Sequence, residues 1–340
     1  MPPPSSPTPE DTTPVPPISI DPHIVPWSYR GSYMCLATRS GDGGRLSAAN
    51  NDICLVTHIY PWGCPLFALR PNQPGVKRGP PSGFHKDPSP FEFKATPSCM
   101  QWSHDGKVVA EATFQDERII RLVGTLPMSF DTEGSLGKLG VDHWRTWMYR
   151  VPGPRSGHEE VEFTSTPDTS LKFIALKGKF EVEIEDKSID VYRPNNRRLT
   201  ISKSEGDEIW ELAIIERERE PNVVLPESEF PHIETIKEEM AKGFEEYVKD
   251  LCPWQKDWGS KQGQTDQLGC YVMWTSTVRP AGYFKKEAVL MSKLWMNKVS
   301  HRLLSLYFEA KKLIKRCGRG ITASTAWLWL KHIPVSQSTK

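Results

Sequence analysis

Paired carboxylates are the first residues in this sequence whose spacing could perform chemistry. Two acids held close together can act as a general acid and a general base, and such pairs occur at Glu159–Glu160 and at Glu183 with Glu185. The second pair alternates with apolar residues from Lys179 onward, which is typical of a strand with one face in water. We therefore interpret both pairs as residues of a solvated sheet face and predict no catalytic role for them.

Cysteine and histidine residues are scattered along the chain. The seven cysteines are odd in number, and neither a CxxC pair nor a Cys/His pair has zinc spacing. We interpret them as buried, reduced thiols, which favours a reducing compartment and a cytoplasmic location. A dispersed histidine is more often solvated or structurally satisfied than catalytic, and this applies to His58, His104, His143, His158 and His232. The sequence predicts no metal site and no cofactor.

The charge balance excludes some classes of partner. The chain has 43 basic and 42 acidic residues, a formal net charge of +1, whereas a dedicated nucleic-acid binder usually has a strong basic excess. The basic run 311–316 could suggest nucleic acid or a membrane surface, but we interpret it as a solvated helix face. No apolar run is long enough to span a bilayer. We expect neither nucleic acid nor membrane as a partner.

Short strands dominate the first two thirds of the sequence. Lys107–Phe114 and Arg118–Val123 are β-rich runs separated by three residues, which predicts a hairpin. Further runs follow at spacings near ten residues up to Ile209–Ile215, and the Gly- and Pro-rich stretch 71–90 reads as a surface loop. Regular short strands of this kind predict a large β-sandwich.

Helical patterns replace the strands after residue 220. Apolar residues from Ile233 to Leu251 fall on one stripe, with Thr235 and Glu238 as a candidate capping box. Further helices are predicted over Thr265–Thr277 and Lys286–Val299. Strands first and helices later indicate a fold that is mainly β with a C-terminal α part.

The predicted organisation has five parts. They are a disordered Pro/Ser/Thr tail (1–26), a β-sandwich domain (27–220), a linker (221–231), a helical segment (232–299) and a basic tail (300–340). The first part has too few apolar residues to offset the entropy of ordering, and it lacks the apolar core of a signal peptide.

Three stretches carry a resemblance to a known family. They are VPWSYRGSYM at 25–34, ATPS at 95–98 with Asp105-Gly106, and the set YVMW at 271–274, VRPAG at 278–282 and MSKLWM at 291–296. In this order they resemble six-hairpin glycoside hydrolases, of the type of mannosylglycerate hydrolase-like and family 63 enzymes. The resemblance implies a β-supersandwich followed by an α/α barrel that hydrolyses glycosidic bonds with inversion, using one carboxylic acid and one carboxylate base.

The chain departs from this family where the catalytic acid is expected. The resemblance implies an Asp within Trp-Ser-Trp-Asp-His after the MSKxWM motif, but Leu303 occupies that register, and the family's base lies beyond the length of this chain. Leucine cannot donate a proton. We therefore expect a truncated relative with the first helices of an incomplete barrel, no catalytic residue and no hydrolysis on its own. Residues 300–340 resemble nothing in the family, and we hypothesise a shifted frame or a retained intron.

The resemblance also suggests where a sugar would bind. Trp274, Lys293 and Trp295 could line a subsite, because aromatic faces stack on pyranose CH groups and a lysine can hydrogen-bond hydroxyls. The alternative is that both tryptophans are packing residues between helix and sandwich. Arg30 is expected to hold a structural salt bridge. The expected partner is an oligosaccharide, with chaperones engaging any helix face left exposed by an incomplete barrel.

Two rival functions stay open at this level. One is an enzyme completed by a partner chain or by an unrecognised site in the sandwich. The other is a non-catalytic carbohydrate-binding module that uses the β-sandwich alone.

Overall fold

In the computed structural model of the protein, the described residues form two large antiparallel sheets, a two-stranded sheet and two helices. The described residues are 15–22, 24–38, 53–57, 64–73, 90–132, 147–150, 157–165, 169–184, 197–218, 230–280 and 286–289. The predicted fold class, mainly β with a C-terminal α part, is confirmed.

The elements follow one another with strands first. The strands are β1 (Met34–Thr38), β2 (Ile53–Thr57), β3 (Cys64–Pro71), β4 (Glu92–Ala95), β5 (Met100–His104), β6 (Lys107–Phe114), β7 (Ile119–Gly124), β8 (Met128–Thr132), β9 (Trp147–Arg150), β10 (Glu159–Ser165), β11 (Thr169–Lys177), β12 (Lys179–Ile184), β13 (Arg197–Ser202), β14 (Trp210–Glu218), β15 (Thr277–Val278) and β16 (Ala288–Val289). The helices are α1 (Ile233–Leu251) and α2 (Lys261–Ser276).

The strands build a sandwich of two large sheets. One sheet has the order β1-β2-β3-β8-β13-β12 and the other β4-β5-β6-β7-β14-β11-β10-β9. Inward-facing rings join them: the Phe67 ring centroid lies 4.6 Å from that of Phe163, and the Phe130 centroid lies 5.5 Å from that of Phe173. Burying each such side chain stabilises the fold by about 1.5–3 kcal/mol. The predicted sandwich therefore has a continuous apolar interior.

The hairpin predicted from the sequence is present. β6 has the predicted bounds, β7 follows it, and Gln115 N donates a 2.9 Å hydrogen bond to Ile119 O across the turn. The alternation in β12 is also confirmed, because Phe180 is buried while Glu181 and Glu183 are exposed.

One acidic residue differs from the solvated face that its sequence predicted. Glu160 is buried at 5% exposure, although Glu159 beside it is exposed. Lys172 Nζ on the neighbouring strand lies 2.6 Å from Glu160 Oε2. The lysine compensates the carboxylate charge, which makes its burial tolerable. Glu185, of the second acid pair, lies outside the described residues.

Part of the predicted disordered N-terminal tail packs against the sandwich. Ile18, Ile20 and Val25 are buried in the main core, and Ile20 N donates a 2.7 Å hydrogen bond to Ala95 O. The few apolar residues near the end of this Pro-rich stretch are enough to pack residues from Val15 onward against the sandwich. The predicted tail thus overlaps a packed segment, and residues 1–14 lie outside the described part of the chain.

Helix α1 shows the predicted apolar stripe but a different cap. Ile236, Met240, Phe244 and Val248 are buried. The helix begins at Ile233 with His232 as its N-cap, whose Nδ1 accepts from Glu234 N at 3.4 Å. The predicted capping box of Thr235 and Glu238 is therefore wrong, since both residues lie within the helix.

Helix α1 lies against the outer face of β6. Met240 Sδ is 3.7 Å from Thr113 Oγ1, and Lys237 Nζ is 2.6 Å from Glu111 Oε2. Met240, Phe244 and Val248 belong to the same apolar core as the sandwich residues. The helices and the sandwich thus share one hydrophobic core.

Helix α2 begins earlier than predicted because Ser260 caps it. Ser260 Oγ accepts from Gly263 N at 3.0 Å, which satisfies one of the amides at the helix start. Beyond it, the predicted helix Lys286–Val299 is wrong where the structure describes it. Ala288 and Val289 form β16, which pairs with β15, so a non-local strand pairing replaces the local helical preference. Residues 290–340 lie outside the described part.

The cysteines agree with the prediction of buried thiols. Cys35, Cys54, Cys252 and Cys270 are buried thiols, and Cys99 is partly buried. Cys252 Sγ lies 3.6 Å from Cys270 Sγ, a hydrogen-bonding distance for sulfur. Cys64 has no described side chain, and Cys317 lies outside the described residues.

Candidate functional site

A cleft lies where the sandwich meets the two helices. Its volume is about 480 Å³, within the range of roughly 300–1,000 Å³ usual for small-molecule pockets. It is lined by Tyr29, Arg30, Gly31, Glu117, Gly243, Glu246, Tyr247, Asp250, Trp274, Arg279, Pro280 and Glu287. The sandwich supplies the turn before β1 and the β6–β7 turn, α1 and α2 supply five residues, and Arg279, Pro280 and Glu287 come from the segment after α2.

Arg279 fastens one side of this cleft. Its side chain is buried and Nη2 lies 3.1 Å from Glu216 Oε2 of β14. Nη1 donates to Glu117 O at 3.3 Å and to Gly31 O at 3.4 Å, and the guanidinium lies 5.0 Å from the ring centroid of Tyr33. One guanidinium thus positions three separate segments of the sandwich around the cleft.

Gly31 allows the turn before β1 to lie close to Glu117. Its φ is +87°, and a Cβ at this position would lie 3.3 Å from Glu117 Cβ. Gly31 N donates a hydrogen bond to Thr277 O at 3.0 Å, and Arg279 N donates one to Gly31 O at 2.9 Å. Backbone hydrogen bonds therefore join the turn before β1 to the residues that follow α2.

The stretches that carry the family resemblance come together beside the cleft. Three hydrogen bonds join them: Trp27 Nε1 to Thr96 O (2.8 Å), Ser28 N to the Tyr271 hydroxyl (3.3 Å) and the Tyr33 hydroxyl to Arg279 O (2.9 Å). A fourth, Thr275 Oγ1 to Pro26 O (2.9 Å), comes from the residue directly after 271–274. Segments far apart in the sequence therefore form one buried junction. The remaining piece, residues 291–296, lies outside the described residues.

Aromatic rings form one wall of the cleft. The Trp274 ring meets Tyr29 at 5.2 Å and Tyr247 at 5.0 Å between centroids, both edge to face. Trp274 is 4% exposed, whereas the two tyrosines are half-buried. Within the described residues the Trp274 indole N–H has no hydrogen-bond partner. Trp274 supports the tyrosines from behind, and they present ring surface to the cleft.

Both tyrosine hydroxyls stay protonated at neutral pH. Burial raises the pKa of Tyr29, and the negative charges of Glu117 and Asp116 raise it further. Burial also raises the pKa of Tyr247. Each hydroxyl is therefore available as a hydrogen-bond donor as well as an acceptor.

The charged lining is mainly acidic. Four carboxylates (Glu117, Glu246, Asp250 and Glu287) and two guanidinium groups (Arg30 and Arg279) line the cleft. Arg30 donates twice to the Glu287 carboxylate, at 2.9 and 3.1 Å, and lies 5.3 Å from the Tyr247 ring centroid. The predicted salt bridge of Arg30 is present, and it lies at the cleft itself.

The sequence-predicted subsite is only partly described. Trp274 lies at the cleft, in a packed aromatic cluster, while Lys293 and Trp295 lie outside the described residues. The predicted subsite of these residues therefore stays a prediction. Sequence reasoning missed Tyr247, Asp250 and Glu117; a usable signal was the spacing of Gly243, Tyr247 and Asp250 at four and three residues, which puts them on one face of α1.

The described residues contain no group of three or more His, Cys, Asp or Glu side chains able to hold a metal ion. In the same part of the chain, neither helix has the length and apolarity needed to cross a bilayer.

No protein-family model and no curated protein matches the sequence. Among solved structures, the chain is similar to the family GH92 glycosyl hydrolase ccman5, with a TM-score of 0.44 and 12% sequence identity. The match covers 76% of this chain and 42% of that chain, so it spans less than half of the hydrolase.

Proposed function

We propose that this chain is a glycoside hydrolase-type protein that holds an oligosaccharide in the cleft without hydrolysing it. One observation carries the proposal. The stretches that resemble six-hairpin glycoside hydrolases form a buried junction, and at that junction lies a cleft lined by Tyr29, Tyr247 and Trp274 together with carboxylates and guanidinium groups.

The lining matches the chemistry of a sugar. Tyrosine rings offer apolar faces for pyranose CH groups, while the carboxylates of Glu117 and Asp250 accept hydrogen bonds from hydroxyls. Arg30, whose side chain is 43% exposed, donates to hydroxyl or ring oxygens. A neutral sugar thus finds apolar, accepting and donating groups in one cleft.

The absence of hydrolysis follows from the sequence resemblance. Inverting hydrolysis needs a proton donor and a base on opposite sides of the scissile bond. Position 303, where the resembling enzymes place the acid, is a leucine. A bound sugar would therefore meet no acid at that position.

Hydrolysis is the second candidate function, and the acidic lining favours it. Glu117 comes from the β6–β7 turn of the sandwich, whereas Glu246 and Asp250 come from α1. Carboxylates contributed by two separate elements could flank a glycosidic bond. Turnover of an aryl glycoside that is lost in Glu117→Gln would support this function over the first.

Calorimetry against neutral gluco- and manno-oligosaccharides tests the first proposal. We expect saturable binding, weakened about tenfold in Tyr247→Ala because an aromatic contact is lost. The matched control is Trp254→Ala, which removes an aromatic side chain that is 42% exposed and does not line the cleft. Absence of binding to any neutral oligosaccharide overturns the proposal.

Two further results of the same experiment are informative. If Tyr247→Ala leaves binding unchanged, the sugar does not bind in the cleft. That result favours a carbohydrate-binding surface elsewhere on the sandwich. Release of reducing sugar above a heat-inactivated control contradicts the proposal that the bound oligosaccharide is not hydrolysed.

A further inference from the structure

We infer that the cleft selects its sugar by charge, preferring an oligosaccharide that carries amino groups over a neutral one and disfavouring one that carries carboxylates. The inference rests on the proposed function and names the substrate class of the same cleft.

The two guanidinium groups of the lining are already engaged. Arg30 pairs with Glu287 at 2.9 Å, and Arg279 pairs with the buried Glu216 at 3.1 Å. The charge of Arg279 is therefore largely compensated by a buried carboxylate, and the charge of Arg30 is balanced by Glu287, another residue of the lining. An anionic sugar would have to compete with one of these carboxylates for a guanidinium.

Three carboxylates of the lining have little or no compensation. Within the described residues, Glu117 and Asp250 form no ion pair, and Glu246 has only Lys242, at 3.9 Å on the same helix with both side chains exposed. Such an exposed pair is weak. The cleft therefore presents a net negative field that attracts a cation and repels an anion.

The aromatic wall accepts a cation as well. The Arg30 guanidinium lies 5.3 Å from the Tyr247 ring centroid, so this ring already faces one cation. Tyr29 offers a second ring next to Glu117; burial, and then the negative charge of Glu117, raises the pKa of Tyr29. A sugar ammonium thus finds the Tyr29 ring and carboxylates in the same space.

Calorimetry with three trisaccharides of similar size tests this selectivity. They are a glucosamine trisaccharide at a pH where its amines are protonated, its N-acetylated neutral counterpart, and a galacturonate trisaccharide. At low ionic strength we expect the amine to bind about tenfold more tightly than the neutral sugar, and the uronate more weakly than both. High ionic strength should compress these differences.

Variants locate the effect in the cleft. Glu117→Gln and Asp250→Asn should each weaken binding of the amine more than binding of the neutral sugar, and so reduce the preference for the amine several-fold. Glu238→Gln is the matched control, because it removes the same charge from an exposed position on α1 that does not line the cleft.

The outcomes separate the inference from the proposed function. Neutral binding without a charge preference overturns the inference and leaves the proposed function intact. A preference reduced equally by Glu238→Gln also overturns it, because the net charge of the protein is then the cause. Failure of all three sugars to bind overturns both.

Discussion

Arg279 and Glu216 form a buried ion pair that joins the segment after α2 to β14. Their side chains are 8% and 0% exposed, and Nη2 lies 3.1 Å from Oε2. The pair holds the cleft side of the helices onto the sandwich. Because both charges are removed from water, each depends on the other for compensation.

Arg279→Met should therefore destabilise the protein by about 3–5 kcal/mol, because it removes a cation that pairs with the buried Glu216 carboxylate. Urea unfolding followed by tryptophan fluorescence measures the change. Arg30→Met is the matched control: its pair with Glu287 is 43% and 47% exposed and should contribute about 0–1 kcal/mol. Equal losses in the two variants would contradict the structural role of Arg279.

Gly31→Ala should destabilise the fold more than Gly206→Ala. Both glycines have nearly the same φ, +87° and +89°, so the backbone strain of a Cβ, about 1–2 kcal/mol, is shared. A Cβ at Gly31 would also lie 3.3 Å from Glu117 Cβ, whereas nothing lies within 4 Å at Gly206. We expect an additional cost of about 1 kcal/mol at Gly31, measured as the difference in free energy of unfolding.

Trp27→Phe should be more destabilising than Trp102→Phe. Both indoles are fully buried, but Trp27 Nε1 donates to Thr96 O at 2.8 Å, while Trp102 Nε1 has no partner within the described residues. The first substitution loses a hydrogen bond and the second removes an unsatisfied donor, so the costs should differ by about 1–2 kcal/mol. Thermal unfolding of the two variants measures this difference. A larger loss of stability in Trp102→Phe than in Trp27→Phe would contradict the hydrogen bond assigned to Trp27.

The Cys99 thiol should react slowly with iodoacetamide in the native protein at about pH 8, because the thiolate is the nucleophile. Burial, and then the negative charge of Glu111, raise the pKa of Cys99 from 9.0 to about 12. The unfolded chain ionises first as pH rises, so this group's contribution to stability is present below pH 9.0 and is lost as pH rises toward about 12.

Mass spectrometry of the alkylated peptide follows this reaction. Urea-unfolded protein is the control and should label at the rate of an ordinary thiol. If Cys99 of the native protein were alkylated as fast as in the unfolded protein at about pH 8, the thiol could not be shielded and protonated as predicted.

The local pattern of the sequence was sufficient for the elements that bury one face. A β-rich run predicted β6 with its bounds, alternation predicted the buried and exposed residues of β12, and the apolar stripe from Ile233 to Leu251 predicted α1, because burial of one face imposes a period on the sequence. The N-cap of α1 was not predictable in this way: the sequence suggested a capping box of Thr235 and Glu238, but His232 caps the helix. The resemblance to a family likewise singled out residues that the structure joins, among them Trp27 and Thr96.

Only the tertiary structure decided the cleft and the pairings that close it. Glu117 and Tyr247 line one space although they are far apart in the sequence, and the spacing that puts Tyr247 on one face of α1 does not report that Glu117 lies opposite that face. Ala288 and Val289 form a strand where local preference indicated a helix, since Thr277 and Val278 offer backbone partners. A period in the sequence reports which face an element buries. It does not report which element covers that face, because that depends on contacts between distant segments.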